Sequence, residues 1–355
     1  MQLEFNPIYF IVFSLISFFV TFFISKYSKF LFSGALLDED FLKPQAFHKT
    51  PIARSGGISI FILFFLFILF NFLKSDKFLI DYFTISLLFF FLGFLDDIKI
   101  KISPYVRLIL MMAALVVCIN IFSIQVTKSG LEFLNIWLEN NIFQMCFVLL
   151  CFVFIINGAN LIDGYNGLLA IHFLIINSIL LGFNLINQNH DISLILFSQI
   201  VIVLSFLCFN FPKAKIFLGD AGSYLCGSLL AVNIIKSQQL NPEVSPFFYT
   251  SILFYLFYEV FFSFIRKSIK KKSPLKPDKL HLHMLLYQFI KKIKKFKDSN
   301  YITSCIINLI YFILIFPLFF FREDGLFCRY YFFFLLFFYT VTYYFLPKLK
   351  KNENI

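Results

Sequence analysis

The stretch IFQMCFVLLCFVFIINGANLIDGYNG, residues 142–167, decides how this chain has to be read. Up to Gly158 it is apolar apart from Gln144 and Asn157. It is long enough to cross a hydrocarbon core, which takes roughly 17–25 residues as a helix. Asn157, Asn160, Asp163 and Asn166 then fall within ten residues, with Gly164 and Gly167 among them. Amides and a carboxylate at that density cannot face lipid, and the glycines permit tight turns and close backbone approach. The stretch therefore reads as a membrane span that delivers amide donors and acceptors, and one hard oxygen ligand, to one face of the bilayer.

The rest of the chain agrees. Of 355 residues, 60% are hydrophobic and 14% charged, with a mean hydropathy of +0.84. A soluble domain is about 45–50% apolar and about 25% charged. That excludes a soluble enzyme, a disordered tail and a nucleic-acid-binding domain as the main content. The formal charge of +11 then reports loops on the cytosolic side rather than an affinity for nucleic acid. The seven cysteines lie in or beside apolar runs, form no C-x-x-C pair, and read as small buried hydrophobes. Residues 1–6 hold one Glu and no Lys or Arg, unlike the basic start of a signal peptide, so the first apolar run is expected to stay as a span.

Eleven windows read as spans: 7–25, 58–73, 79–95, 108–124, 142–158, 168–186, 192–211, 217–235, 246–265, 301–321 and 327–347. Residues 125–141 are mixed and could lie in the interface. With the N-terminus outside, the cytosolic segments hold 25 Lys and Arg and the outer segments 6. That asymmetry is the orientation signal of an inner-membrane protein. The expected fold is an all-α polytopic membrane protein, one integral-membrane domain over residues 1–355, with a cytosolic C-terminus and a basic cytosolic loop at 266–300.

Four polar clusters fall on the cytosolic side of this topology. Asp96-Asp97 closes the third window; paired carboxylates at a helix C-terminus oppose the macrodipole and call for a cation nearby. The Asn157–Gly167 cluster is the second. Phe217-Leu-Gly-Asp220-Ala-Gly-Ser223 opens the eighth window, where Asp220 suits either a helix cap or a metal. Lys276-Pro-Asp-Lys-Leu-His281-Leu-His283 lies in the basic loop, and an amphipathic stretch at 284–297 follows it. Four carboxylates (Asp96, Asp97, Asp163, Asp220) without soft ligands point to Mg²⁺, with Mn²⁺ as the alternative. A hard cation beside Lys, Arg and His points to phosphates in the substrate.

With His48-Lys49-Thr-Pro-Ile-Ala-Arg54-Ser-Gly-Gly57 in the first cytosolic loop, these motifs make the chain resemble the polyprenyl-phosphate N-acetylhexosamine-1-phosphate transferases. The resemblance runs over nearly the whole chain. It implies that a UDP-activated N-acetylhexosamine gives its sugar-1-phosphate to a polyprenyl phosphate, leaving UMP, on the cytosolic leaflet of the plasma membrane. It also implies roles. Asp220 matches a Mg²⁺ ligand, with Asp163 beside it. Asp96 and Asp97 match the catalytic aspartate pair, Asp96 on the lipid-phosphate side. Asn157, Asn160 and Asp163 match the lining of the nucleotide-sugar pocket, and Phe217 matches an aromatic that stacks on uracil. Lys49 matches a lysine beside the phosphates, Arg54 is expected among the substrate-binding residues, and His281 and His283 match the histidine loop. Asn166 stands where many relatives have Asp. His281-Leu-His283-Met284 lacks the three consecutive histidines and the acidic residue of the muramoyl-pentapeptide branch, which favours the branch using simple N-acetylhexosamines. The implied partners are the UDP-sugar, the lipid and the membrane, with a homodimer allowed. A muramoyl-pentapeptide transferase and a transporter or flippase of an anionic lipid or nucleotide-sugar are the alternatives.

Overall fold

A computed structural model describes residues 7–39, 50–100, 102–274, 276, 278–293 and 298–352. Fourteen α-helices carry the architecture among them. In chain order these are α1 (Pro7–Tyr27), α2 (Gly56–Ser75), α3 (Ile80–Asp97), α4 (Pro104–Ile121), α5 (Glu132–Leu138), α6 (Asn141–Ile162), α7 (Leu168–Ile186), α8 (His190–Asn210), α9 (Gly219–Leu240), α10 (Pro246–Ile252), α11 (Phe254–Ile269), α12 (Leu282–Ile293), α13 (Ser299–Ile315) and α14 (Gly325–Asn352). Two short antiparallel strands, β1 (Leu37–Asp38) and β2 (Ile52–Ala53), pair Leu37 with Ala53.

Every window expected to span holds a helix, and the two amphipathic or mixed stretches hold the short helices α5 and α12. By length and composition, eight of the described helices suffice to cross a membrane. A ninth arises if α10 and α11, which meet at a 71° bend, form one span. Of the eleven windows, α3 and α9 stand apart because they are more polar: α3 carries Asp81, Asp96 and Asp97, and α9 carries Asp220, Asn233 and Lys236. Their surroundings account for this. α9 packs against α3, α6, α2 and α7, and nearly all of its side chains are buried. Such a helix meets protein where an outer helix meets lipid. Small residues let its neighbours close in, as helix packing in membranes requires. A Cβ on Gly227 would fall 2.8 Å from the Ile156 Cα of α6. By contrast, α1 and α14 display rows of exposed Phe, Ile and Leu.

At the middle of the bundle a closed amide network ties four helices. Asn233 of α9 donates to Asn177 of α7 (3.1 Å) and to Gln199 of α8 (2.7 Å), and accepts from the Tyr82 hydroxyl of α3 (2.9 Å). All four side chains are buried. Replacing Asn233 by Leu leaves three buried polar groups short of a partner. We expect a loss of about 1–2 kcal/mol, seen as a lower thermal midpoint of the detergent-purified protein.

Candidate active-site cleft

One end of the bundle is polar, and the chain brings it together by short backbone bonds. The loop leaving β2 lies beside residues 216–218: Phe217 N–H donates to the Ala53 carbonyl (2.8 Å). The first amides of α2 close on the same segment, Gly56 N–H on the Phe217 carbonyl and Gly57 N–H on the Leu218 carbonyl, each at 2.8 Å. These bonds answer orphan donors at a helix start and hold Arg54 over the N-terminus of α9. Gly93 lets α3 reach the same point, since a Cβ there would fall 2.3 Å from the Asp220 carbonyl group.

Asp97 caps α9 from a distance. Its side chain is 0% exposed, and its two carboxylate oxygens accept the backbone N–H groups of Asp220 (3.0 Å) and Ala221 (2.8 Å). A carboxylate at a helix N-terminus is favourable. Here it also fixes the residue that bears the next carboxylate. Gly219, at φ +78°, makes the turn that brings these amides to Asp97, and a Cβ there would strike the Asp97 carboxylate at 2.5 Å.

Asp220 is then held by its side chain. Oδ1 accepts from Asn160 Nδ2 (3.0 Å), which also donates to the Ser223 hydroxyl (2.9 Å), and Oδ2 lies 3.3 Å from Arg107 Nη1. Arg107 also pairs with Asp96, bridging the two aspartates. Arg54 donates to Asp38 through Nε (3.2 Å) and Nη2 (2.8 Å), and its Nη1 lies 3.5 Å from Asp97. Burial works against the Arg54 charge, but Asp220, Asp97 and Asp38 together hold its proton more tightly than usual. Asp163 ends α6. Burial, helped by the charge of Asp220 and opposed by Arg54, pushes its pKa up to about 7.

Part of this network borders a cleft of about 330 Å³. Asp220, Asp163, Asn160, Arg54 and Phe217 line it, with Asp38, Asn166, Lys213, Asn300 and Tyr301 completing the wall. The Asn160–Asp163–Asp220–Phe217–Arg54 set expected from sequence thus converges. Other expected residues sit elsewhere. Asn157 turns its amide to its own helix, donating to the Val153 carbonyl (2.8 Å). Asp96 and Asp97 support the cleft without lining it, and His281 and His283 are buried behind its wall. Lys49 lies outside the described residues. Four partners escaped the sequence reading: Asp38, Arg107, Asn300 and Tyr301. Arg107 counted there only as loop charge, and Asp38 and Asn300 reach the site through contacts no local pattern encodes.

Among the described residues, no group of three or more His, Cys, Asp or Glu is arranged to hold a metal ion. Asp163 and Asp220, both on the cleft wall, with the charge of Asp220 felt at Asp163, still suit Mg²⁺, which takes one or two protein carboxylates and completes its shell with phosphate oxygens and water.

An apolar helical bundle that gathers carboxylates, amides and an arginine into a cleft at one end defines a polytopic membrane protein with a polar site. Residues 79–238 match glycosyl transferase family 4, and the chain belongs to that family. It is similar to the undecaprenyl-phosphate alpha-N-acetylglucosaminyl 1-phosphate transferase of Thermotoga maritima, 29% identical over 291 residues, covering 82% of this chain and 84% of the relative. It is also similar to the phospho-N-acetylmuramoyl-pentapeptide-transferase of Streptococcus gordonii, 32% identical over 232 residues, covering 61% of this chain and 69% of the relative. A third relative is the probable undecaprenyl-phosphate N-acetylglucosaminyl 1-phosphate transferase of Bacillus subtilis, 28% identical over 248 residues, covering 68% of this chain and 67% of the relative.

Proposed function

We propose that this chain is a sugar-1-phosphate transferase. It moves N-acetylhexosamine-1-phosphate from a UDP-sugar to undecaprenyl or a related polyprenyl phosphate, releasing UMP and starting a cell-envelope glycan. The observation that carries this reading is the convergence of Asp220, Asp163, Asn160, Arg54 and Phe217 on one cleft in a chain of this family. A relative matched over 82% of this chain is named for N-acetylglucosamine transfer, and His281-Leu-His283-Met284 agrees with the simple-hexosamine branch. Residues that face the cleft or support it come from the ends of α3, α6 and α8 and from the beginnings of α2, α4, α7, α9 and α13, an alternation that supports eleven spans opening the cleft to the cytosol at the plasma membrane.

The chemistry is a charge problem. A phosphate monoester has a second pKa near 6, so the lipid acceptor is largely dianionic and a strong base is not required. Its oxygen attacks the phosphorus that carries the sugar, the bond to the UMP phosphate breaks, and UMP leaves with the electron pair. Bringing two anions together needs positive charge already in position. Arg54, held protonated between carboxylates, supplies it on the cleft wall. The Arg107–Asp96 pair lies beside Asp220 on the face assigned to the lipid, where Asp96 positions the acceptor. Phe217 offers a ring face to uracil, and Asn160 orients Asp220. Mg²⁺, held by Asp220 and Asp163, would neutralise diphosphate oxygens when bound. A route in two steps, through phosphorylation of an aspartate, would show as exchange of UMP with the UDP-sugar in the absence of lipid.

Membranes containing the full chain should release UMP from a UDP-N-acetylhexosamine only when polyprenyl phosphate and Mg²⁺ are both supplied, and EDTA should stop release. UMP formation that is indifferent to the lipid would overturn the assignment. Movement of the intact UDP-sugar into vesicles without bond cleavage would identify a transporter instead.

A further inference from the structure

Behind the cleft wall stands a buried column of polar side chains drawn from separate parts of the chain. His283, at the start of α12, is 0% exposed. Its Nε2 lies 4.0 Å from the position a Cβ would take on Gly164, and its ring meets Tyr165 edge-on at 5.7 Å. His281 stacks on His283 with the ring planes 5° apart and the centroids 5.6 Å apart. On its other side, His281 Nδ1 lies 2.9 Å from Glu259 Oε1, which also accepts the Leu282 N–H at 3.3 Å. Glu259 Oε2 accepts the Tyr339 hydroxyl at 2.8 Å. Glu259 belongs to α11 and is 1% exposed; Tyr339 belongs to α14 and is 2% exposed. A second tyrosine of α14 secures the same segment, with the Tyr343 hydroxyl donating to the Leu280 carbonyl at 3.0 Å.

A carboxylate this deeply buried persists only when donors surround it. Glu259 has three, from the ring of His281, the amide of Leu282 and the hydroxyl of Tyr339. Glu259 at Nδ1, with Asp278 Oδ1 3.4 Å from Nε2 on the other edge, fixes which way the His281 ring faces, and ring contacts carry that orientation to His283 and Tyr165.

We propose that Tyr339 and Glu259 are positioning residues. They hold His281, and through it His283, as a rigid backing for the Asp163–Tyr165 turn, so that the last helix of the chain sets the geometry of one cleft wall. The inference rests on reading the cleft as the nucleotide-sugar site.

The test uses the full chain in membranes and in detergent, with four variants: Tyr339→Phe, Glu259→Gln, the two combined, and Tyr331→Phe. Tyr331 serves as the control because its hydroxyl leaves the same helix to reach the Leu314 carbonyl (2.7 Å), away from the column. Tyr339→Phe should raise KM for the UDP-sugar about tenfold and leave KM for polyprenyl phosphate unchanged. The combined variant should be no worse than Glu259→Gln alone, since both act through one bond. Tyr331→Phe should match the parent chain. A parental KM in Tyr339→Phe, or additive losses in the combined variant, overturns the proposal. Hydrogen exchange provides a reading independent of turnover. The peptide covering 278–293 should exchange faster in Tyr339→Phe than in Tyr331→Phe, and equal exchange overturns the proposal whatever the activity. Absence of transfer in the parent chain with accelerated exchange in Tyr339→Phe would remove the proposed function and leave the positioning role standing.

Discussion

Replacing Asp220 by Asn should reduce UMP release by about a thousandfold while the protein remains in the membrane at parental abundance. The substitution keeps the size of the side chain and leaves the backbone bonds from Asp97 to the Asp220 and Ala221 amides in place. It removes one negative charge from a cleft where Arg107 and Arg54 face that charge, and it turns an oxygen donor for a hard cation into an amide. The N-terminus of α9 therefore stays folded and only the chemistry is lost. Release of UMP should be measured at saturating lipid, alongside abundance in the membrane fraction. A variant that keeps more than about a tenth of parental turnover would remove Asp220 from the reacting centre.

The second large effect is expected at a residue with no side chain. A Cβ on Gly93 would fall 2.3 Å from the Asp220 carbonyl carbon and oxygen and 2.4 Å from the Ala221 nitrogen. All three are backbone atoms at the start of a helix packed against α2, α3, α6 and α7 and tied to Asp97 by two hydrogen bonds, so neither α3 nor α9 yields easily there. Overpacking a core costs about 1–3 kcal/mol, and more where backbone must move. Gly93→Val should exceed that range, lower the detergent thermal midpoint sharply, and abolish transfer without touching a charged group. Gly325→Ala provides the contrast, because a Cβ there meets only Ser245 Oγ at 3.9 Å. It should behave as the parent chain. A Gly93→Val protein of normal stability and activity would mean that α3 and α9 do not approach as closely as described.

These expectations rest on two kinds of information, of which the sequence discloses one. Helix positions follow from hydropathy because lipid imposes it, and every apolar window holds a helix. Counting spans is harder, because α9 is shielded from lipid and can afford Asp220, Asn233 and Lys236. Asp220, Asp163 and Asn160 stand out as polar groups at the ends of apolar runs, and that local contrast made them readable. Asp38 and Arg107 did not stand out, because charges in loops are ordinary until a partner is known. Glu259 is different. A lone carboxylate inside the 246–265 window was a signal in its own right. Its partners, His281 and Tyr339, lie 22 and 80 residues away along the chain, so its purpose was not legible.

The enclosure of α9 also bears on how the polypeptide is made. A segment with an aspartate, a lysine, several serines and buried amides gains little by entering lipid alone. The helices it packs against most, α2, α3, α6 and α7, precede it in synthesis, and the short α10 closes on it afterwards. Its counterpart groups, Tyr82, Asn177 and Gln199, are thus already available when Asn233 leaves the ribosome. The order of the gene thus sets the four helices that α9 packs against most closely into the bilayer before α9 itself arrives.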